Sequence, residues 1–95
     1  MAEHLARHGI PPNLKAYVCI EVMEEHRPIL YVARPEGDWC FLCGDEHPED
    51  PSAYRVVGIS HPVSSDPTLA GVLDLGVDEA AERPAVGAAW SRTAL

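Results

Sequence analysis

The sequence predicts one small α+β domain, in which a mostly antiparallel sheet of four to five strands packs against one helix near residues 67–75. Three observations support this fold class. Four short apolar segments are separated by turns that contain proline or glycine. A fifth segment combines a helix-start signal with apolar residues at helical spacing. Finally, 95 residues of which 46% are hydrophobic suffice for one packed core.

The first fourteen residues are expected to form an arm or a short helix, and residues 15–95 the single domain. Gly9 and the Pro11-Pro12 pair would end any helix at the N-terminus. The segment 17–22 then alternates between two faces and predicts the first strand. On its second face, Cys19 is interpreted as a small packing residue.

The segments 29–34 and 39–44 are predicted to form an antiparallel hairpin. Between them, residues 35–38 have the composition of a turn, with glycine third. The second of these strands is apolar on both faces, which is typical of a central strand. Trp39 and Phe41 are its candidate core residues, and Gly44 turns the chain outward.

The segment 54–60 is predicted to be a fourth strand, ended by His61-Pro62. Asp66 and Pro67 then provide an N-cap and a first helical residue. The helix they begin has its apolar face at positions 69, 72 and 73, and Gly76 is predicted to end it in a left-handed conformation. Residues 78–83 are compatible with either a helical turn or a polar edge strand, and residues 86–90 could close the sheet.

The net charge of −8 is concentrated in one part of the chain. Residues 35–54 contain six acidic residues and no lysine or arginine, so they account for six of the eight excess negative charges. A nucleic acid is therefore not an expected partner, whereas a basic protein or a cation is. No apolar run is long enough for a membrane helix or a signal peptide, which predicts a cytoplasmic protein with free thiols.

The C-x-x-C-G motif at positions 40–44 is the pattern in the sequence that most resembles a metal-binding site. Cys40, Cys43 and His47 could supply three zinc ligands, but a second ligand pair is missing. Strand alternation also predicts that the two thiols lie on opposite faces. The sequence therefore predicts no metal and no cofactor, and a metal- or small-ligand-binding domain using these three residues stays as the alternative.

No catalytic constellation is found, which predicts a protein that is not an enzyme. The acidic run 45–50 lacks the spacing and glycine of an EF-hand. His61, Ser64, Ser65 and Asp66 have the residue types of a catalytic triad. They lack a nucleophile elbow, and a cap and turn explain Ser65 and Asp66.

The segment order and the W-x-F-x-x-G-D-E run at positions 39–46 resemble the immunity-protein-33-like family of small bacterial domains. The resemblance covers roughly residues 15–92 and implies an α+β fold and, for some members, neutralisation of a cognate toxin by binding. The expected function is thus non-catalytic protein binding. We expect an acidic surface that steers a basic partner, with Trp39 or Tyr54 as an aromatic anchor if exposed. The candidate partner-binding residues are Asp45, Glu46, Glu49, Asp50 and Tyr54.

Overall fold

The computed structural model describes residues 2–44 and 54–95, with side chains from residue 5 onward. Three α-helices, two 3₁₀ helices and six strands occur in these residues. The α-helices are α1 (Ala2–Arg7), α2 (Ile20–Met23) and α3 (Ser60–Ser65), and the 3₁₀ helices are Pro35–Gly37 and Pro67–Val72. The strands are β1 (Lys15–Cys19), β2 (Tyr31–Ala33), β3 (Trp39–Leu42), β4 (Tyr54–Gly58), β5 (Glu79–Glu82) and β6 (Ser91–Ala94).

The strands form one six-stranded mixed sheet in the order β4-β1-β3-β2-β5-β6. The α+β class is confirmed, but the sheet is larger than the four to five strands predicted and is mixed rather than mostly antiparallel, because β1 runs parallel to β3. The predicted β2–β3 hairpin is confirmed, with Val32 opposite Phe41. Strand β3 is central, as its two apolar faces indicate.

One face of the sheet carries the hydrophobic core. Val18, Phe41, Val32 and Ala81 are successive partners across four neighbouring strands, so their side chains share this face. The α-helices and the longer 3₁₀ helix pack their apolar side chains onto it. The helical residues in or against this cluster are Leu5, Val22, Met23, Val63, Leu69 and Val72.

Helix α2 replaces the last part of the predicted first strand. The backbone leaves β1 at Cys19, which is still extended, and the N–H of Glu24 donates to the carbonyl of Ile20. Val18, Ile20 and Val22 alternate, but a run this short does not distinguish a strand from a helical turn.

Helix α3 lies where the sequence predicts only the end of a strand. Pro62 is the third residue of this helix, and Ile59 is its N-cap. The first turn of a helix has no intrahelical acceptor for its N–H groups, so a proline there removes no hydrogen bond. Pro62 and Val63 are both buried by this arrangement.

The predicted helix near residues 67–75 is a 3₁₀ helix that ends at Val72 rather than an α-helix. Its start is as predicted: the backbone N–H of Thr68 donates to the carboxylate of Asp66, and Pro67 follows the cap. The prediction for Gly76 is wrong, because Gly76 is not among the residues with positive φ. Its N–H instead donates to Oε1 of Glu79 at 2.6 Å.

The C-terminal segment completes the sheet. Of the two alternatives for residues 78–83, the structure has a strand, β5, but it is an interior strand between β2 and β6 and not an edge strand. Strand β6 begins at Ser91, just beyond the predicted segment 86–90. Trp90 packs at the position of Gly71, where a Cβ atom would lie 3.5 Å from the indole ring.

Candidate functional site

The second face of the sheet brings all three tyrosines of the chain together. Tyr17 lies opposite both Cys40 and Val56, and its strand neighbour Cys19 lies opposite Tyr54. Tyr31 lies opposite Leu42 one strand further on. Directly paired residues and alternate residues of one strand share a face. We call the surface formed by Tyr17, Tyr31, Cys40, Leu42, Tyr54 and Val56 the tyrosine face.

Among residues 5–44 and 54–95, the large side chains of the tyrosine face keep part of their surface exposed. The three tyrosines and Leu42 are half-buried, and Val56 is 59% exposed. The helices described above pack on the opposite face. Half-exposed tyrosines on one sheet face are typical of a protein-binding surface, since tyrosine gives a large contact area at low entropic cost.

Acidic residues lie at both ends of the tyrosine face. Asp38 precedes β3 and is exposed, and its charge raises the pKa values of Lys15 and Cys40 as a minor contribution. Glu82 lies opposite Tyr31 at the other end and is also exposed. Lys15 is the basic residue of this face, and its Nζ lies 5.1 Å from the ring centre of Tyr17. A hydrogen bond with Tyr17 is the main cause of the raised pKa of Lys15.

Most of the predicted partner-binding residues lie outside the described residues. Asp45, Glu46, Glu49 and Asp50 belong to the segment 45–53, so their role stays a prediction. Tyr54 is described, and it lies half-buried on the tyrosine face. In sequence, the acidic segment joins Gly44 to Tyr54, and therefore both of its ends start from the Leu42–Tyr54 end of that face.

Trp39 is in the core and is not available as an aromatic anchor. It is 2% exposed and stacks on Phe41, with ring centres 5.9 Å apart. The guanidinium of Arg34 lies 4.5 Å from the Trp39 ring centre and donates to the carbonyl of Leu75. Gly44, with φ of +91°, has the left-handed conformation that turns the chain after β3.

The two cysteines of the C-x-x-C motif have different surroundings. Cys40 is half-buried on the tyrosine face between Tyr17 and Ala33. Cys43 lies beyond the end of β3, is 2% exposed, and is in hydrogen-bonding contact with the thiol of Cys19. Cys19 itself is fully buried at the end of β1. The close thiol pair in the described structure is therefore Cys19 with Cys43.

Burial is the main cause of the pKa shifts of Cys19 and Cys40. It raises the pKa of Cys19 above its ordinary value, and the neighbouring Cys43 adds to this effect. The backbone N–H groups of Val22 and Cys43 partly offset it. Burial also raises the pKa of Cys40, with a further contribution from the charge of Asp38.

Among the described residues, no group of three or more His, Cys, Asp or Glu side chains is arranged to hold a metal ion. His47 lies outside those residues, so the site of Cys40, Cys43 and His47 stays a hypothesis. In the same described ranges, no helix is long and apolar enough to cross a membrane.

Asp66, one of the four residues of the types found in a catalytic triad, forms a buried ion pair. Arg83 is fully buried and donates to Oδ2 of Asp66 at 2.7 Å and to the carbonyl of Ile29 at 2.9 Å. The other oxygen of Asp66 accepts from Thr68. The Arg83 guanidinium also lies 4.2 Å from the ring centre of Trp90. Through Arg83, Asp66 thus connects the end of β5, the 3₁₀ helix Pro67–Val72 and the segment that leads into β2.

A cleft of about 560 Å³ lies between the α2–β2 connection and the 3₁₀ helix Pro67–Val72. Val22, Ile29 and Val86 give it apolar walls, and Asp66 is its most buried acidic residue. Because Asp66 bonds internally through both oxygens, it is poorly placed to bind a polar ligand. The cleft offers no group that points to a ligand class.

No protein-family model, curated protein or solved structure matches this chain.

Sequence reasoning identified Tyr54 but not the association of Tyr54 with Tyr17 and Tyr31. Alternation places Tyr17 on the second face of the first strand, which is the available signal. The parallel β1–β3 pairing places Tyr17 beside the hairpin that carries Tyr31. Because β1 and β3 are not consecutive strands, no turn in the sequence indicates this pairing.

Proposed function

We propose that this domain is a non-catalytic protein-binding domain that binds a basic protein through the tyrosine face. The observation that carries the proposal is one sheet face on which Tyr17 and Tyr54 adjoin exposed Val56, with Tyr31 on the same face three strands away. Interfaces bind chiefly through buried aromatic anchors, and tyrosine is among the residues enriched there.

Charge complementarity supports a basic partner. Asp38 and Glu82 border the face, and in the sequence residues 35–54, which include β3, contribute six of the eight net negative charges. Such a field accelerates association with a basic surface and opposes binding of acidic ones. An acidic surface suits the binding of a basic toxin, and we propose an immunity protein as the specific role.

Site-specific photocrosslinking in cells tests this proposal. A photoreactive phenylalanine analogue replaces Val56, and the matched control replaces Val86, which is also exposed but lies in the cleft on the other side. We expect position 56 to crosslink to one basic protein and position 86 not to. Equal crosslinking from both positions, or only self-crosslinked chains, would contradict the proposal.

A growth-rescue experiment then distinguishes the immunity role from protein binding without toxin neutralisation. The captured protein is expressed alone and together with this chain, and with its Val56→Arg variant. The immunity role predicts that the captured protein inhibits growth, that the wild-type chain restores it, and that the variant does not. A captured protein that is harmless leaves the binding proposal standing but excludes the immunity role.

A further inference from the structure

Cys19 and Cys43 are adjacent although 24 positions separate them in the sequence. Their register follows from the parallel pairing of Val18 with Phe41, which makes Leu42 the next partner of Cys19 and places Cys43 one residue beyond it. Strand spacing of about 4.8 Å and a rise of about 3.3 Å then separate the two Cα atoms by about 6 Å. Disulfides span roughly 4.4–6.8 Å between Cα atoms.

The other two cysteine pairings do not fit a disulfide. Cys40 and Cys43 belong to one extended segment, and three residue steps separate their Cα atoms by about 10 Å. Cys40 lies opposite Tyr17, two residues before Cys19, which gives about 8 Å between Cys40 and Cys19. Both separations exceed the roughly 7 Å beyond which a bridge needs backbone movement.

We propose that Cys19 and Cys43 form a reversible disulfide, with hydrogen peroxide as oxidant, that joins the end of β1 to the end of β3. The two thiols are already in contact and both are buried, so they are placed to react with each other inside the fold. Cytosolic disulfides are usually redox-sensing or catalytic rather than structural.

The oxidation proceeds in two balanced steps. The Cys43 thiolate attacks one peroxide oxygen, so that the O–O bond breaks, a sulfenic acid forms, and the released hydroxide takes up a proton to give water. The Cys19 sulfur then attacks the sulfenic sulfur, the S–S bond forms as the S–O bond breaks, and the leaving hydroxide takes the Cys19 proton to give a second water. Two thiols lose two electrons and the peroxide becomes two waters. A dithiol reductant reverses the reaction and is itself oxidised to a disulfide.

Cys43 is the thiol that reacts first with the oxidant. It follows the last residue of β3 and precedes Gly44, which is exposed and in a left-handed conformation. Local opening at this turn exposes Cys43 without breaking the strand ladder. The burial that raises the pKa of Cys19 keeps that thiol protonated, so we expect the second step to accelerate as the pH rises.

Peptide mapping after hydrogen peroxide treatment tests the pair. Trypsin is unsuitable, because Arg27 and Arg34 each precede a proline and all three cysteines stay in one peptide. Cleavage after glutamate separates Cys19, in residues 4–21, from Cys40 and Cys43, in residues 37–46. Free thiols are blocked with N-ethylmaleimide in denaturant before digestion.

We expect the peptides 4–21 and 37–46 to be linked after treatment, with the maleimide on Cys40. A dithiol reductant should restore two further free thiols. The Cys40→Ser variant should form the link as the wild type does, and Cys43→Ser should not. The proposal is overturned by a Cys40–Cys43 bond, by sulfinic acid at Cys43 with Cys19 still free, or by a folded chain that stays unlinked when its urea-unfolded form reacts.

Discussion

Arg83 and Arg92 form ion pairs of nearly equal length in very different surroundings. The Arg83–Asp66 pair is 2.7 Å long, with side chains 0% and 16% exposed. The Arg92–Asp74 pair is 2.6 Å long, with side chains 41% and 57% exposed. Removal of one partner of a buried pair leaves an uncompensated charge in a medium that cannot solvate it. Water replaces the lost partner of an exposed pair at little cost.

We therefore predict that Arg83→Met lowers the free energy of unfolding by about 3–5 kcal/mol. Urea unfolding monitored by tryptophan fluorescence measures the change. The matched Arg92→Met variant should lose less than about 1 kcal/mol. Equal losses in the two variants would show that the Asp66–Arg83 contact does not hold β5 to the 3₁₀ helix.

The buried Cys19 thiol predicts a loss of stability in alkaline solution. Its folded pKa lies above the ordinary value of 9.0 because burial disfavours the thiolate. The unfolded chain therefore loses this proton at a lower pH than the folded chain does. The contribution of the protonated thiol to the free energy of unfolding is complete below about pH 9 and is lost as the pH rises through the folded pKa. Under reducing conditions, Cys19→Ala should show a shallower decline of unfolding free energy above pH 9 than the wild type. Identical slopes would refute this contribution.

At the scale of elements, the Cys19–Cys43 disulfide closes a loop with 23 residues between the two cysteines. Closure of a loop of this length restricts the unfolded chain and stabilises the folded one by about 3 kcal/mol. We predict this gain for the peroxide-oxidised protein over the reduced one, measured by urea unfolding without reductant. Cys43→Ser, treated in the same way, should gain nothing. A stability decrease on oxidation would show that the folded sheet does not accommodate the bond.

The elements differ in how far the sequence predicts them, and the difference has a physical origin. The β2–β3 hairpin is signalled locally by a proline-glycine turn between two apolar runs, and it forms as predicted. The cap of the 3₁₀ helix at Asp66 is likewise local. Helix α3 was missed because Pro62 is a helix breaker everywhere except in the first turn, where it lies.

The site was less predictable than the elements. The β1–β3 pairing joins strands that are not consecutive, and no turn between them marks it. That pairing both unites the three tyrosines on one face and places Cys19 beside Cys43. The sequence presented Cys40 and Cys43 as the conspicuous pair because their spacing is a motif, whereas the contact between distant cysteines depends on strand order.

At the scale of the whole molecule, the two faces of the sheet differ in what covers them. One face holds the core, with the helices packed on Val18, Val32 and Phe41. The other face carries the tyrosines, and acidic residues lie at its ends and in the segment attached to it. Substitutions on the tyrosine face should therefore change binding while they leave folding largely intact.

The affinity of matched arginine variants for the crosslinked partner tests the central claim most directly. Val56→Arg and Val86→Arg add the same charge at exposed valines on different sides of the molecule. Titration calorimetry should give a dissociation constant at least about tenfold higher for Val56→Arg, or about 1.4 kcal/mol, and one within about twofold of wild type for Val86→Arg. Equal weakening by both variants, or a selective effect of Val86→Arg, would contradict binding through the tyrosine face.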